Sequence, residues 1–190
     1  MIKIAQISDI HIRTGSRFEE YNAVIARLIE SLKDHQPDRI CITGDILHNK
    51  NVLSPEQIKI AKEMISEMAM IAPVDIIPGN HDANLKNKSR LDALTPIIES
   101  LPDTINPVTY MKSTGYYIND HCLYGVWSCL DGDDLNKKRI EIIEVTREEN
   151  DLGLVPSVAL YHGIIYGSKL DAGYKMKDVP GIEMFDGYDC

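Results

Sequence analysis

The feature that most constrains this chain is a repeated pattern of short apolar runs, each breaking off into a polar cluster, with amphipathic stretches between them. Residues 2–7 run into Ser8-Asp9, residues 39–43 into Gly44-Asp45, and residues 74–77 into Pro78-Gly79-Asn80-His81-Asp82. Much later, residues 157–161 run into His162-Gly163. The apolar runs are short and rich in β-branched residues, which reads as buried strand. Residues 18–34 read as a helix with Val24, Leu28 and Leu32 on one face and Ile25 and Ile29 beside them. Ser54-Pro55-Glu56-Gln57 opens another. Ser54 is placed to cap it, Pro55 fits the first turn, and Gln57 closes a capping box. That helix runs to about residue 70 with Ile58, Ala61, Ile65 and Met68 inward. A third helix is expected over residues 90–100, with Pro96 as a kink point. Such alternation predicts an α/β layered domain with a largely central sheet. After residue 107 the texture changes to strands at 108–111, 116–118 and 121–127, then a charged helix at 133–147.

The length of 190 residues suits one domain over residues 1–190. With 44% hydrophobic and 26% charged residues, the composition is that of an ordinary globular protein. No apolar run approaches the roughly 20 residues of a membrane span, and the N-terminus has no leader pattern. Cys41, Cys122, Cys129 and Cys190 form no C-x-x-C pair, which favours thiols in a reducing cytoplasm over a zinc ribbon. A net charge of −9 excludes nucleic-acid binding through the overall field, so any such contact must be local or carried by metal ions.

In an open α/β sheet, ligand sites form beyond the carboxyl ends of strands, so the four polar clusters are placed to converge. Their residue types suit divalent metals. Asp9 and His11 can reach one ion where the strand has ended and the chain curls. Gly44 lets the backbone turn and aim Asp45, whose two oxygens can bridge two ions. Asn80 offers a carbonyl oxygen and His162 an imidazole. Mixed N/O ligation suits manganese, iron or zinc better than magnesium. Two ions about 3.5–4 Å apart would clamp a phosphate for in-line attack. Each cluster alone has a plainer reading: Asp9 as a strand terminator, Gly44-Asp45 as a turn, His162 as a structural histidine. Gly79-Asn80-His81-Asp82 directly after an apolar strand serves no core.

The order D-x-H, G-D, G-N-H-D and a later lone histidine resembles the calcineurin-like metallophosphoesterase superfamily. The resemblance implies a layered fold of central mixed β sheets flanked by helices. It implies that Asp9 and His11 bind the first of two metals, that Asp45 bridges, and that Asn80 and His162 bind the second, with Mn2+ as the expected ion. His81 would contact the phosphate and protonate the leaving oxygen, with Asp82 holding its imidazole in orientation. The superfamily's last motif, G-H-x-H, is absent, so the domain is read as incomplete at its C-terminal end, with Tyr188 to Cys190 opening the strand that would carry the motif. Weak metal occupancy and little activity are the expectation for such a chain.

Within the superfamily, Ser8-Asp9-Ile10-His11-Ile12 and Gly44-Asp45-Ile46-Leu47-His48-Asn49-Lys50 are most similar to the SbcD-type DNA-repair exonucleases. That branch implies a role for His48 in orienting DNA. It also implies DNA as substrate, an SbcC-type coiled-coil ATPase that docks through segments beyond these residues, and homodimerisation. Arg13, Arg17, Lys50, Lys86, Lys88 and Arg90 flank the metal motifs, where a phosphate backbone would lie. Two other readings use the same residues: a small-molecule phosphatase or cyclic-nucleotide phosphodiesterase, and an inactive binding fragment.

Overall fold

The computed structural model describes residues 2–15, 17–87, 90–119, 122–131, 155–169 and 179–190. The helix expected at 133–147 and the basic residue Lys88 lie outside them. The chain divides into two compact units, Met1–Lys112 and Ser113–Cys190.

The first unit is built on four parallel strands, β1 (Ile4–Ile7), β2 (Arg39–Thr43), β3 (Val74–Ile77) and β4 (Val108–Tyr110), in the order β1-β2-β3-β4. Helices α1 (Phe18–His35), α2 (Pro55–Ala69) and α3 (Thr95–Glu99) connect them. Every residue of β2 and β3 is buried, as strands inside a parallel sheet must be. Ile40, Ile42 and Ile76 pack with Ile29 and Leu32 of α1 and Met64, Ile65 and Met68 of α2 in one core. At the amino end of the sheet, Arg39 donates to both carboxylate oxygens of Asp75 at 2.7 and 2.8 Å, a buried pair joining β2 to β3.

The register positions the site. Ile7 pairs with Ile42, and Ile42 with Ile76, so β1, β2 and β3 end side by side. The loops that follow them therefore leave from one edge of the sheet.

The capping box expected at α2 forms: Gln57 N donates to Ser54 Oγ at 3.3 Å, and Ser54 N donates to Gln57 Oε1 at 2.9 Å. Two helix faces differ from expectation. The buried stripe of α2 is Gln57, Ile60, Ala61, Met64, Ile65 and Met68, which leaves Ile58 on its flank. Val24 is likewise turned outward from α1, whose inner face is Tyr21, Ile25, Leu28, Ile29 and Leu32. The helix expected over residues 90–100 shrinks to Thr95–Glu99. Asp92 is the cause: its Oδ1 accepts Leu94 N at 3.0 Å and Thr95 N at 2.8 Å, closing a turn that helical backbone would not allow.

The second unit holds β5 (Gly115–Ile118), β6 (Leu123–Trp127) and β7 (Ser157–Tyr161). β5 pairs antiparallel and β7 parallel with β6. A 3-10 turn, Ile182–Phe185, follows, and Phe185 and Tyr188 pack edge-on against the buried Trp127. Ala159 N donates to Cys190 O at 2.7 Å and Asp189 N to Ser157 O at 2.9 Å, so the last two residues lie along β7. No helix among the described residues is long and apolar enough to cross a membrane.

Burial would raise the Asp92 carboxyl, but bonds from Lys112, Thr95 and Tyr110 outweigh it and hold the group below its ordinary value. A lowered folded pKa stabilises above the unfolded value of about 3.9 and is lost as pH falls through the folded one. Asp92→Asn should therefore lower urea stability at pH 7, and the gap to the wild type should close progressively below about pH 4.

Candidate metal centre

Three consecutive strand ends create the site through an unusual backbone. Asp9 (φ 56°), His11 (φ 48°) and Asp45 (φ 56°) all adopt left-handed conformations, as does Gly44 (φ 90°). Non-glycine residues hold such angles at a cost of about 1–3 kcal/mol each, and only where the surroundings enforce them. The loops after β1 and β2 supply that enforcement as a ladder. Asp9 N donates to Gly44 O at 3.2 Å, His11 N to Asp45 O at 2.9 Å, Ile12 N to Ile46 O at 2.9 Å, and His48 N to Ile12 O at 3.1 Å. The curl that Asp9 and His11 require is thus present.

The third loop closes on the second. A Cβ on Gly79 would stand 2.1 Å from Asp45 Oδ1 and 2.3 Å from Asp45 N, so only glycine lets β3 end against this carboxylate. Asp45 Oδ1 accepts the His81 amide at 2.8 Å. Its Oδ2 faces His11 Nε2 at 3.5 Å, and Asp9 Oδ1 lies 3.6 Å from the same nitrogen. Tetrahedral bonds of about 2.1 Å to one ion put donors about 3.4 Å apart, so this spacing suits a shared cation. One donor atom from each of Asp9, His11 and Asp45 lies within 4.8 Å of the others, and the same holds for His11, His48 and His81. His11 Nδ1 and His48 Nδ1 are buried with no hydrogen-bond partner. The His11 nitrogen that faces the carboxylates is the other one, Nε2, so it is the donor spacing there that matches a cation. The residues present therefore fit a divalent metal.

Three histidines gather here. The rings of His11 and His81 meet edge-on with centroids 4.8 Å apart, and His48 stacks on His81 at 5.4 Å. His81 Nδ1 lies 2.8 Å from His48 O, and a carbonyl only accepts, so Nδ1 carries a proton and is the anchored side of the ring. Burial lowers the His48 pKa, and the neighbouring Arg13, His11 and His81 lower it further.

The structure gives Asp82 a different task from the one expected. Its carboxylate does not bond His81, whose Nδ1 is taken by the His48 carbonyl. Asp82 is fully buried and accepts three backbone amides: Asp45 N at 2.8 Å, Gly79 N at 3.0 Å and Leu47 N at 3.0 Å. Burial pushes its pKa up to about 6, against the pull of those amides, and the neighbouring Asp45 adds to the rise. Asp82 thus ties the second and third loops together.

Of the remaining expected residues, Asn80 is exposed at the loop tip, and its carbonyl accepts the Lys50 ammonium at 2.7 Å. His162 follows β7 in the second unit. Arg17 pairs with Glu20, and Arg90 donates to Asn51 Oδ1 at 3.1 Å, while Arg13 and Lys86 are exposed. Two residues escaped the sequence reading. Tyr21 Oη contacts the first loop, and Gln57, fully buried, donates from Nε2 to Ile12 O at 2.7 Å. Gln57 carried a capping signal but none for this second bond, and Tyr21 carried only its place on the inner face of α1.

Asp82→Asn puts an NH2 group against backbone donors and leaves at least one buried amide unpaired, at about 1–3 kcal/mol each. Urea unfolding should show a loss of about 2–3 kcal/mol. A side chain that only oriented an imidazole would leave stability unchanged.

The calcineurin-like phosphoesterase family, Metallophos, matches residues 2–178. "Uncharacterized protein R555" of Acanthamoeba polyphaga mimivirus is 40% identical over 195 residues, covering 97% of this chain and 14% of that protein. "DNA double-strand break repair protein Mre11" of Nanoarchaeum equitans (strain Kin4-M) is 32% identical over 127 residues, covering 62% of this chain and 34% of that protein. The crystal structure of Pseudomonas putida nuclease MPE aligns with a TM-score of 0.45 at 17% identity, over 92% of this chain and 67% of that one. The chain thus spans well under half the length of the two sequence relatives, yet the family match covers nearly all of it: it belongs to the calcineurin-like phosphoesterases.

Proposed function

We propose that this chain is the metal-binding part of a two-metal phosphodiesterase of the SbcD type that hydrolyses DNA. The observation that carries this reading is the Asp9–His11–Asp45 cluster with His81 and His48 standing against it. By resemblance to the family, Asp9 and His11 would hold one ion, Asp45 would be shared with a second, and Asn80 and His162 would be ligands to that second. The mixed nitrogen and oxygen donors favour Mn2+. Divalent ions bound there supply Lewis acidity to a phosphate.

The chain's own groups do the rest. Asp45 is fixed through Oδ1 by the His81 amide, which keeps Oδ2 aimed at His11. His81, anchored through Nδ1, presents Nε2 as the proton carrier to the leaving oxygen. His48 beside it orients the substrate. Arg13, Arg17, Lys50, Lys86, Lys88 and Arg90 bring local positive charge to the loops of an acidic protein and contact the DNA backbone. The Nanoarchaeum relative is described as a DNA double-strand break repair protein, which supports DNA as the substrate. A homodimer working with an SbcC-type coiled-coil ATPase, which docks outside residues 1–190, is part of the same reading.

The test is the contrast between two variants in Mn2+. In the complete protein, His81→Ala should lower DNA cleavage by roughly 10²–10⁴-fold, the range for a positioned general acid, and leave metal affinity nearly intact. Asp45→Ala should abolish metal binding by calorimetry and cleavage with it. Loss of metal in His81→Ala would make His81 a ligand and overturn its assignment. Hydrolysis of a chromogenic phosphodiester without DNA cleavage would instead establish a small-molecule phosphatase or cyclic-nucleotide phosphodiesterase.

A further inference from the structure

His11 is the side chain on which the two carboxylates converge, and its own backbone is strained, with φ at 48°. The amide on its near side is held by Asp45 O at 2.9 Å. Its far side leaves the loop ladder: the His11 carbonyl and the Arg13 amide point toward neither the second loop nor the third. Tyr21, on the inner face of α1, meets both. Its hydroxyl donates to His11 O at 2.7 Å and accepts from Arg13 N at 3.2 Å. The phenol ring packs against the core of the first unit, so the clamp is anchored in the fold and not in the loop it holds. A hydroxyl with one proton and lone pairs to spare is chemically matched to a carbonyl and an amide two residues apart.

We infer that Tyr21 is a positioning residue for the metal centre: its hydroxyl locks His11 in the left-handed conformation that turns the imidazole toward Asp9 and Asp45. This rests on the metal reading above. Tyr21 touches no donor atom of the cluster and acts only through the His11 backbone. Without the clamp, the residue can relax toward ordinary backbone angles, which relieves strain and swings the ring away from the carboxylates. Fixing a ligand from outside its donor shell is commonly worth 10–100-fold in metal affinity.

The matched control is Tyr110, whose hydroxyl donates to Asp92 Oδ1 at 3.0 Å. Tyr21→Phe and Tyr110→Phe each remove one such hydroxyl. Calorimetric titration with Mn2+ should give a Kd raised 10–100-fold for Tyr21→Phe and within twofold of the wild type for Tyr110→Phe. The visible absorption of the Co2+-loaded protein should change in Tyr21→Phe alone, because only there does a ligand move. Melting of the metal-free proteins should show Tyr21→Phe folded and no less stable than Tyr110→Phe. Equal Mn2+ affinity in Tyr21→Phe and wild type overturns the inference while leaving the metal reading intact. So does equal weakening in both variants, or a Tyr21→Phe chain that does not fold. A wild-type protein that takes up no Mn2+ sinks the metal reading, and the inference with it.

Discussion

Backbone strain at Asp9, His11 and Asp45 is the constraint on which the rest of the site depends. Left-handed angles at non-glycine residues survive only where neighbouring bonds leave no alternative. Here the bonds come from the loops that prolong the sheet and, at His11, from Tyr21 as well. Because β1 and β2 end in register, the loops after them can continue a ladder past the strands, ending in the Ile12–Leu47 bridge. Each rung fixes a carbonyl or amide of one loop against the other. The strained residues are the ones whose side chains face one another, so the same bonds that enforce the conformation also aim the donors.

The electrostatics of this arrangement are unfavourable in isolation. Asp45 and Asp82 are both buried, and their mutual repulsion adds to the desolvation that raises the Asp82 pKa. Three backbone amides meet Asp82, and Asp45 Oδ2 stands 3.5 Å from the His11 imidazole. Buried carboxylates are retained where they are paired or coordinate a cation. The Arg39–Asp75 pair on β2 and β3 shows the first solution in the same sheet, with both carboxylate oxygens bonded to a guanidinium. The Asp9–His11–Asp45 cluster has the composition for the second.

Much of this was legible in the sequence because it depends on periodicity and on strand ends. The extents of β2, β3 and β7 follow from short apolar runs, and the start of α2 follows from Ser54, Pro55 and Gln57. The convergence of Asp9, His11 and Asp45 follows from their place after parallel strands. What was not legible depends on single contacts. Val24 and Ile58 match a helical period yet sit at the edge of the buried stripe, where a rotation of one residue decides burial. The length of α3 is set by the Asp92 side chain folding back on Leu94 and Thr95, a local competition that apolar periodicity does not record. Asp82 follows His81 in the motif, which suggests that the two side chains work together. The chain instead turns between them and sends Asp82 beneath the loops. Gln57 reads as a cap and Tyr21 carries no motif, and their hydrogen bonds to the first loop require the three-dimensional fold.

The central claim is that three adjacent strand ends build a cation site around Asp45. Its most direct test is anomalous X-ray scattering from crystals of the protein grown with Mn2+, collected at the manganese edge. An anomalous peak is expected between Asp9, His11 and Asp45, within about 2.0–2.3 Å of their donor atoms. Ordered loops with manganese bound elsewhere, or with no anomalous peak beside Asp45 at saturating metal, would contradict it.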